Sequence, residues 1–271
     1  MAVIDLKETI IRLWAGELRT YQSDSVAANS DLDWTEASTH FGSYPPSITL
    51  VDPMTMSAAL SIVVTGRDIV VNLATDAVPA ITSTANDIKT AIDADPVAST
   101  LVTVTVEGDG TGIVDAHAEA SLAGTKNALQ INIGEGNMTF DEKSPVEFIR
   151  NRGLLVAGGV RNADDEPMDF SLDIQWDFLS SVAGATVPTP REAIAFEGPA
   201  SAWLTTADDP CQPKCLDIEL LNQPGCTGIE DESIVLEEAY FESQNHDLRG
   251  GTVAGSGRCN RKRATAIRIP A

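Results

Sequence analysis

Cationic side chains are scarce in this chain of 271 residues. It carries 18 Lys and Arg against 40 Asp and Glu, for a formal net charge of −22. Proteins that hold nucleic acid tightly neutralise its phosphates with Lys and Arg, so this balance argues against such a function. Two explanations of the acidity stay open, namely solubility and repulsion of a polyanion.

Long apolar runs are also lacking. No stretch approaches the ~20 apolar residues that a membrane-spanning helix needs. The first residues, Met-Ala-Val-Ile-Asp-Leu-Lys-Glu, have neither the basic start nor the apolar segment of a signal peptide. We therefore expect a protein made in the cytoplasm, with no membrane partner. Its hydrophobic content of 43% is enough for a globular core.

Cysteine is sparse, and its spacing is a weak metal signal. The four cysteines are Cys211, Cys215, Cys226 and Cys259. Zinc signatures usually have closely paired ligands at both ends, whereas here only the first two cysteines are close. A structural zinc, a late disulfide and ordinary buried thiols are the alternatives. We expect no catalytic role and no required metal.

The sequence has little that indicates catalysis. The glycine-rich residues 108–112 are too short and too acidic for a phosphate-binding loop, so we expect a turn. A Gly-x-Ser-x-Gly nucleophile motif is absent. Neighbouring carboxylates at 164–166, 208–209 and 230–232 stand beside Pro or Gly, which is typical of solvated loops. We expect no enzyme and no cofactor.

The most informative stretch is 169–178, because its polarity alternates with the period of a β-strand. Its apolar side chains share one face: Phe170, Leu172, Ile174, Trp176 and Phe178. Its polar side chains share the other: Asp169, Ser171, Asp173, Gln175 and Asp177. The stretch contains no Lys or Arg, so we expect an acidic, uncompensated face. A surface that repels a polyanion would have this composition.

Residues 48–125 form a predicted inserted α+β module with ββαββ order. Two strands flank a hairpin turn at 66–68, and Thr84 with Asp87 resembles a capping box that opens a helix. Two more predicted strands complete the module, at 101–106 and 113–118. Residues 22–47 are predicted to be a polar connector that is loop or partly helical.

The rest of the chain, residues 1–47 and 126–271, is predicted to be mainly β. Pro190 indicates the first turn of a short helix over 191–197. Residues 137–150 are predicted to be an extended charged segment, and 258–271 a basic tail. The predicted strands lie at 3–14, 129–133, 169–178, 215–221, 233–241 and 251–258.

Several segments together carry a resemblance to a known family. They are 133–152 (Ile-Gly-Glu-Gly-Asn-Met-Thr-Phe-Asp-Glu-Lys-Ser-Pro-Val-Glu-Phe-Ile-Arg-Asn-Arg), 166–170 (Glu-Pro-Met-Asp-Phe) with Trp176, Cys211 with Asp217, 246–249 (His-Asp-Leu-Arg) and 257–260 (Gly-Arg-Cys-Asn). Together they resemble the major tail (tail tube) proteins of tailed bacteriophages, over residues 3–14 and about 127–265. The 48–125 module resembles a β-rich unit that recurs, inserted, in phage virion proteins.

The resemblance implies a β-sandwich or partial barrel with a flanking helix. It also implies subunits in stacked hexameric rings, around a channel through which DNA passes without tight binding. The partners are then further copies and other tail proteins, and the location is the virion tail. The expected channel-lining residues are Asp169, Asp173 and Asp177. The charged segment is expected to contact a neighbouring subunit through Asp141, Glu142, Lys143, Arg150 and Arg152.

Other functions stay open at this point. A tail terminator, a baseplate hub or a capsid decoration protein would be another structural role in a virion. A glycosidase using two carboxylates would need a deep pocket that holds both, which the sequence does not indicate. A binding module is a further alternative, with the inserted unit recognising a host glycan.

Overall fold

The computed structural model describes residues 9–16, 18–124, 127–131, 137–144, 146–148, 160–175, 187–209, 211–222, 231–247 and 250–269. Of these described residues, 47% lie in strands and 12% in helices, with large antiparallel sheets. The predicted mainly β, sandwich-like fold is confirmed.

The chain divides into two compact units. Unit 1 comprises Met1–Ala15 and Asn127–Ala271, and unit 2 comprises Gly16–Lys126. Each unit has its own hydrophobic core. The boundary that the sequence placed at residue 48 therefore lies inside unit 2, and residues 16–47 belong with unit 2 rather than with the sandwich.

The described residues of unit 1 contain ten strands. They are β1 (Thr9–Ala15), β9 (Asn127–Ile131), β10 (Met138–Asp141), β11 (Val146–Phe148), β12 (Val160–Asn162), β13 (Met168–Gln175), β14 (Leu216–Asn222), β15 (Asp231–Asp247), β16 (Thr252–Cys259) and β17 (Thr265–Ile269). Eight of them form one antiparallel sheet in the order β10-β13-β16-β15-β14-β1-β9, with β17 paired to β15. β11 and β12 form a separate two-stranded ladder.

The core of unit 1 follows from strand alternation. Phe170, Leu172 and Ile174 of β13 are buried, as the period-2 pattern predicts, and complete burial of such a side chain contributes about 1.5–3 kcal/mol. The helix α3 (Pro190–Ala195) packs Ala193 and Ile194 into the same cluster. α3 is the predicted short helix, displaced by one or two residues. A 3₁₀ helix, Gly198–Ala202, follows it.

A buried carboxylate links the strands β1, β14 and β15. The indole Nε1 of Trp14 donates to Glu219 at 2.7 Å, and the Ser233 hydroxyl donates to the other oxygen of Glu219 at 2.8 Å. Glu219 is fully buried. These hydrogen bonds offset part of the cost of removing a carboxylate from water.

The described residues of unit 2 contain seven strands and two helices. They are β2 (Thr20–Ser23), β3 (Leu32–Glu36), β4 (Ser47–Val51), β5 (Ser61–Thr65), β6 (Asp68–Asn72), β7 (Val102–Val106), β8 (His117–Ser121), α1 (Ala85–Ala94) and α2 (Ala98–Leu101). One sheet has the order β2-β3-β7 and the other β5-β6-β4-β8. β4 and β6 are parallel, and the remaining pairs are antiparallel.

Local signals in unit 2 predicted several elements correctly. β5 and β6 form the predicted hairpin. The capping box of α1 is present, with Asp87 N donating to the Thr84 hydroxyl at 3.2 Å and Thr84 N to the Asp87 carboxylate at 2.9 Å. The glycine-rich residues 108–112 make a turn, with positive φ at Gly108 and Gly110.

Two predictions for unit 2 were wrong. Residues 22–47 are not a loop or helical connector, because β3 and the start of β4 lie within them. Leu32 and Trp34 of β3 are fully buried, and the carboxylate of Glu36 pairs with the guanidinium of Arg19 at 3.1 Å. The strand predicted at 113–118 is β8, which begins four residues later, at His117. Pairing of β8 with β4 across the sheet decides its position.

Candidate functional site

One face of the unit 1 sheet is polar across the neighbouring strands β10, β13, β16 and the second half of β15. On β13, Asp169, Ser171 and Gln175 are exposed and Asp173 is half-buried, while the residues between them belong to the core. The same alternation holds on β16, where Ser256 and Arg258 are exposed. We call the outward side chains of these four strands the polar face.

Strand register places the polar face residues in rows across the sheet. The rows are Asp141–Asp169–Arg258–Tyr240, Thr139–Ser171–Ser256–Ser243, Asp173–Ala254–Asn245 and Gln175–Thr252–Asp247. The second row consists of four hydroxyl side chains. Because most of these side chains are short, the face presents hydroxyls, amides and carboxylates close to the backbone surface.

Asp169 is held between two cations. Its carboxylate lies 3.0 Å from Lys143 Nζ and 3.3 Å from Arg258 Nε. The hydrogen bond from Lys143, followed by the charges of Lys143 and Arg258, lowers the pKa of the Asp169 carboxyl. The predicted uncompensated acidic face was therefore wrong at Asp169, since the compensating cations come from outside the strand.

Both cations of this cluster are shared with further carboxylates. Lys143 also lies 2.5 Å from Asp141, and hydrogen bonds to Asp141 and then to Asp169 raise the pKa of the Lys143 ammonium. Arg258 also lies 3.8 Å from Glu242. Each cation thus faces two carboxylates.

The charged segment packs against the end of the same sheet. The backbone N–H of Lys143 donates to the carbonyl of Lys262 at 2.9 Å. The Glu142 carboxylate accepts the N–H of Ala264 at 3.1 Å, and Arg263 donates to the Ser144 hydroxyl at 2.8 Å. Residues 142–144 are thus held by residues 262–264 of their own chain, and the predicted contact of the charged segment with a neighbouring subunit stays a prediction.

Three of the residues predicted for the channel and the subunit contact lie outside the part of the chain that the structure describes. They are Asp177, for the channel, and Arg150 and Arg152, for the subunit contact.

A scan against models of known protein families, a search of curated proteins and a search of solved structures each gave no match. Among the described residues, no helix is long and apolar enough to cross a membrane.

The described cysteines are free thiols in different environments. Cys211 is exposed, whereas Cys215 and Cys259 are buried. Burial raises the pKa of the Cys215 thiol, which lies 3.5 Å from the Thr206 hydroxyl. Burial, and then the negative charge of Asp217, raises the pKa of Cys259 to about 12. The described cysteines do not form a cluster of metal-ligating side chains, and Cys226 lies outside the described residues.

Sequence reasoning missed the contributions of β10 and β16 to the polar face. A local signal existed on β16, since Ser256 and Arg258 alternate with Gly255, Gly257 and Cys259. The strand predicted at 251–258 corresponds to β16 and contains Arg258. The rest of the basic tail was predicted as a separate segment, whereas residues 265–269 form β17.

Proposed function

We propose that this chain is a structural subunit of a bacteriophage tail tube, and that its polar face lines the channel for DNA. The observation that carries the proposal is the polar face itself, a run of short hydroxyl and carboxylate side chains across four strands. A second support is the resemblance to tail tube proteins, which residues 133–152 and the segments after them carry.

The charges of the polar face suit a surface that lets DNA slide. Its carboxylates are Asp141, Asp169, Asp173, Glu242 and Asp247, and its cation is Arg258. A second cation, Lys143, lies just after β10 and pairs with Asp141 and Asp169. Each cation already faces two carboxylates, and their negative charges offset its attraction for phosphate. At physiological salt, charges are screened over about 8 Å, so the net negative face acts only at close range. It keeps phosphate from adhering without blocking passage.

The strand order also provides edges for assembly. β10 and β9 end the unit 1 sheet, and no other described strand pairs with their outer sides. The two edges differ in sequence, so a contact between them is head-to-tail, and such contacts close into rings when the rotation allows it. The proposed assembly is a hexameric ring that stacks on further rings and on other tail proteins in the virion. The proposed role is structural, with no catalysis and no cofactor.

Electron microscopy of the purified full chain tests the proposal. Negative stain at several protein concentrations should show rings and stacked tubes with a central opening. Single rings that never stack would indicate a tail terminator instead. A monomer that persists at high concentration, in both low and physiological salt, would reject a self-assembling subunit.

A charge reversal tests the channel assignment. Asp173→Lys should leave assembly intact and make tubes retain DNA, because an unpaired Lys on the lining can bind phosphate. Glu119→Lys makes the same charge change at an exposed position of unit 2 and is the matched control. The readout is DNA retained by tubes as salt is raised. Equal retention of DNA by the two variants would contradict the proposal that the polar face lines the channel.

A further inference from the structure

β5 is an edge strand with an open side. It ends the β5-β6-β4-β8 sheet, and among the described residues no strand pairs with its outer side. Its sequence is Ser-Ile-Val-Val-Thr, which is uncharged and rich in β-branched residues. Such an edge is a template for pairing with another strand.

The turn shows which backbone groups face outward. Thr65 pairs with Asp68 across a two-residue turn, and Gly66 has φ +63° at its first position. In a hairpin of this kind the residues that flank the turn exchange hydrogen bonds. The N–H and C=O groups of Ser61, Val63 and Thr65 therefore point to β6, and those of Ile62 and Val64 point outward.

The two edges of this sheet are protected differently. The opposite edge, β8, carries Glu119, and its ladder with β4 is irregular between Ile48 and Leu50. Charges and bulges at an edge hinder unwanted pairing. β5 has no charge, proline or register shift, and its ladder with β6 is regular over all five residues.

The composition around β5 favours a second copy of this chain as the partner. Residues 53–66 contain no charged side chain, although the chain carries a net charge of −22. Two copies repel each other over most of their acidic surfaces, and this repulsion is weakest where both surfaces are uncharged. A stretch without charge is thus where like chains can approach.

The strand is also complementary to itself. We propose that β5 pairs antiparallel with β5 of a second copy, on a two-fold axis at Val63. In this register Val63 faces Val63, Ile62 faces Val64 and Ser61 faces Thr65. The outward groups of Ile62 and Val64 then meet and form four hydrogen bonds. Val63, 51% exposed in the single chain, packs against its equivalent.

This pairing is independent of ring assembly. It uses unit 2 alone, whereas the proposed ring uses edges of the unit 1 sheet. A chain that forms no tubes would still dimerise through β5, and a chain blocked at β5 would still form rings. An experiment can therefore disprove the β5 pairing without disproving the ring, and the reverse.

Opposite charges at the axis test the pairing in the full chain. V63K and V63D each place like charges side by side across the axis. Each should weaken dimerisation of the full chain at least tenfold, measured by sedimentation velocity at protein concentrations below those at which rings form. An equimolar mixture should recover association, because Lys then faces Asp across the axis. V26K adds the same charge at a side chain that is 96% exposed and should behave as the wild type. Wild-type association by V63K, or no recovery in the mixture, would overturn the proposal.

Cross-linking tests the register directly. Val63 and its equivalent form a non-hydrogen-bonded pair, in which Cα atoms are about 4.5 Å apart, and a disulfide spans about 4.4–6.8 Å. V63C should form a disulfide dimer under mild oxidation, and peptide mapping should show that the bond joins the two substituted positions. V26C is the control, and it measures how fast disulfides form by random collision of exposed thiols. Cross-linking of V63C no faster than V26C would overturn the pairing even if the charge variants aggregate.

Discussion

The rings of Phe170 and Phe241 meet edge to face, with centroids 5.0 Å apart and planes at 79°. They lie on the core side of the polar face, beside the glycines of β16. A Cβ on Gly255 would come 2.9 Å from the Phe241 ring, and one on Gly257 would come 3.0 Å from the Phe170 ring. The two aromatic side chains occupy the space that side chains on these glycines would need.

Gly257→Ala should therefore destabilise unit 1. The added Cβ would lie 1.9 Å from the carbonyl oxygen of Tyr240, a backbone atom that cannot move without disturbing the β15–β16 ladder. Overpacking of this kind costs about 1–3 kcal/mol. Urea unfolding should show a lower midpoint for G257A, whereas S256A, on the exposed side of the same strand, should unfold as the wild type does. Equal midpoints would contradict the close approach.

Glu219→Leu should destabilise unit 1 more than removal of a surface carboxylate. It leaves the Trp14 indole and the Ser233 hydroxyl without this acceptor, and each unsatisfied buried donor costs about 1–3 kcal/mol. Glu242→Leu removes an exposed carboxylate 3.8 Å from Arg258 and should change stability by less than about 0.5 kcal/mol. Chemical unfolding of the two variants measures the difference, and a similar small loss in both would refute the role of Glu219.

The cysteines should differ sharply in reactivity. Cys211 is exposed and should be alkylated before Cys215 and Cys259 in the native protein at pH 8, whereas those two buried cysteines should react only after unfolding. The thiolate is the reacting species, and burial raises the pKa of both buried thiols. Peptide mapping after timed alkylation gives the order. Native labelling of Cys259 as fast as Cys211 would contradict the buried environment.

The raised pKa of Cys259 also predicts a pH dependence. Its folded-state pKa of about 12 lies above the ordinary 9.0, so folding favours the protonated thiol. This stabilising contribution is complete below pH 9 and is lost as the pH rises from 9 toward 12. Cys259→Ala should make the loss of stability above pH 9 less steep, as measured by unfolding at pH 8, 9 and 10. An unchanged slope would exclude this thiol as the cause.

Unit 2 should be removable at the boundaries that the structure defines. Ala15 and Asn127 pair directly in the β1–β9 ladder, so Asn-Gly in place of residues 16–126 would close a tight hairpin. Unit 1 should then fold and assemble. Deletion of 48–125 alone should give insoluble protein, because it removes β7 and exposes Leu32 and Trp34. Solubility, circular dichroism and electron microscopy distinguish the two deletions, and a soluble, folded product of the second would overturn this division.

Elements with local signals could be predicted from the sequence. Thr84 and Asp87 identify the start of α1, Gly66 the β5–β6 hairpin, and Pro190 the start of α3, because each signal acts within a few residues. β3 could not be recognised, because Leu32 and Trp34 stand alone in a polar stretch. Their burial depends on β7, which lies far along the chain.

The polar face was predictable only in part, for the same reason. The alternation along β13 predicted that Asp169 and Asp173 share an exposed face. It could not predict that Lys143 and Arg258 meet Asp169, since those contacts depend on strand order in the sheet. The charge of such a face is thus decided by which strands become neighbours.

The direct pairing of Ala15 with Asn127 also bears on how such a chain evolves. The chain leaves unit 1 and returns to it at adjacent positions of one ladder. A genetic exchange could replace residues 16–126 with another domain whose two ends lie close together. Such an exchange would keep the register of β1 and β9. Selection could then change the inserted domain while the sheet that bears the polar face stays the same.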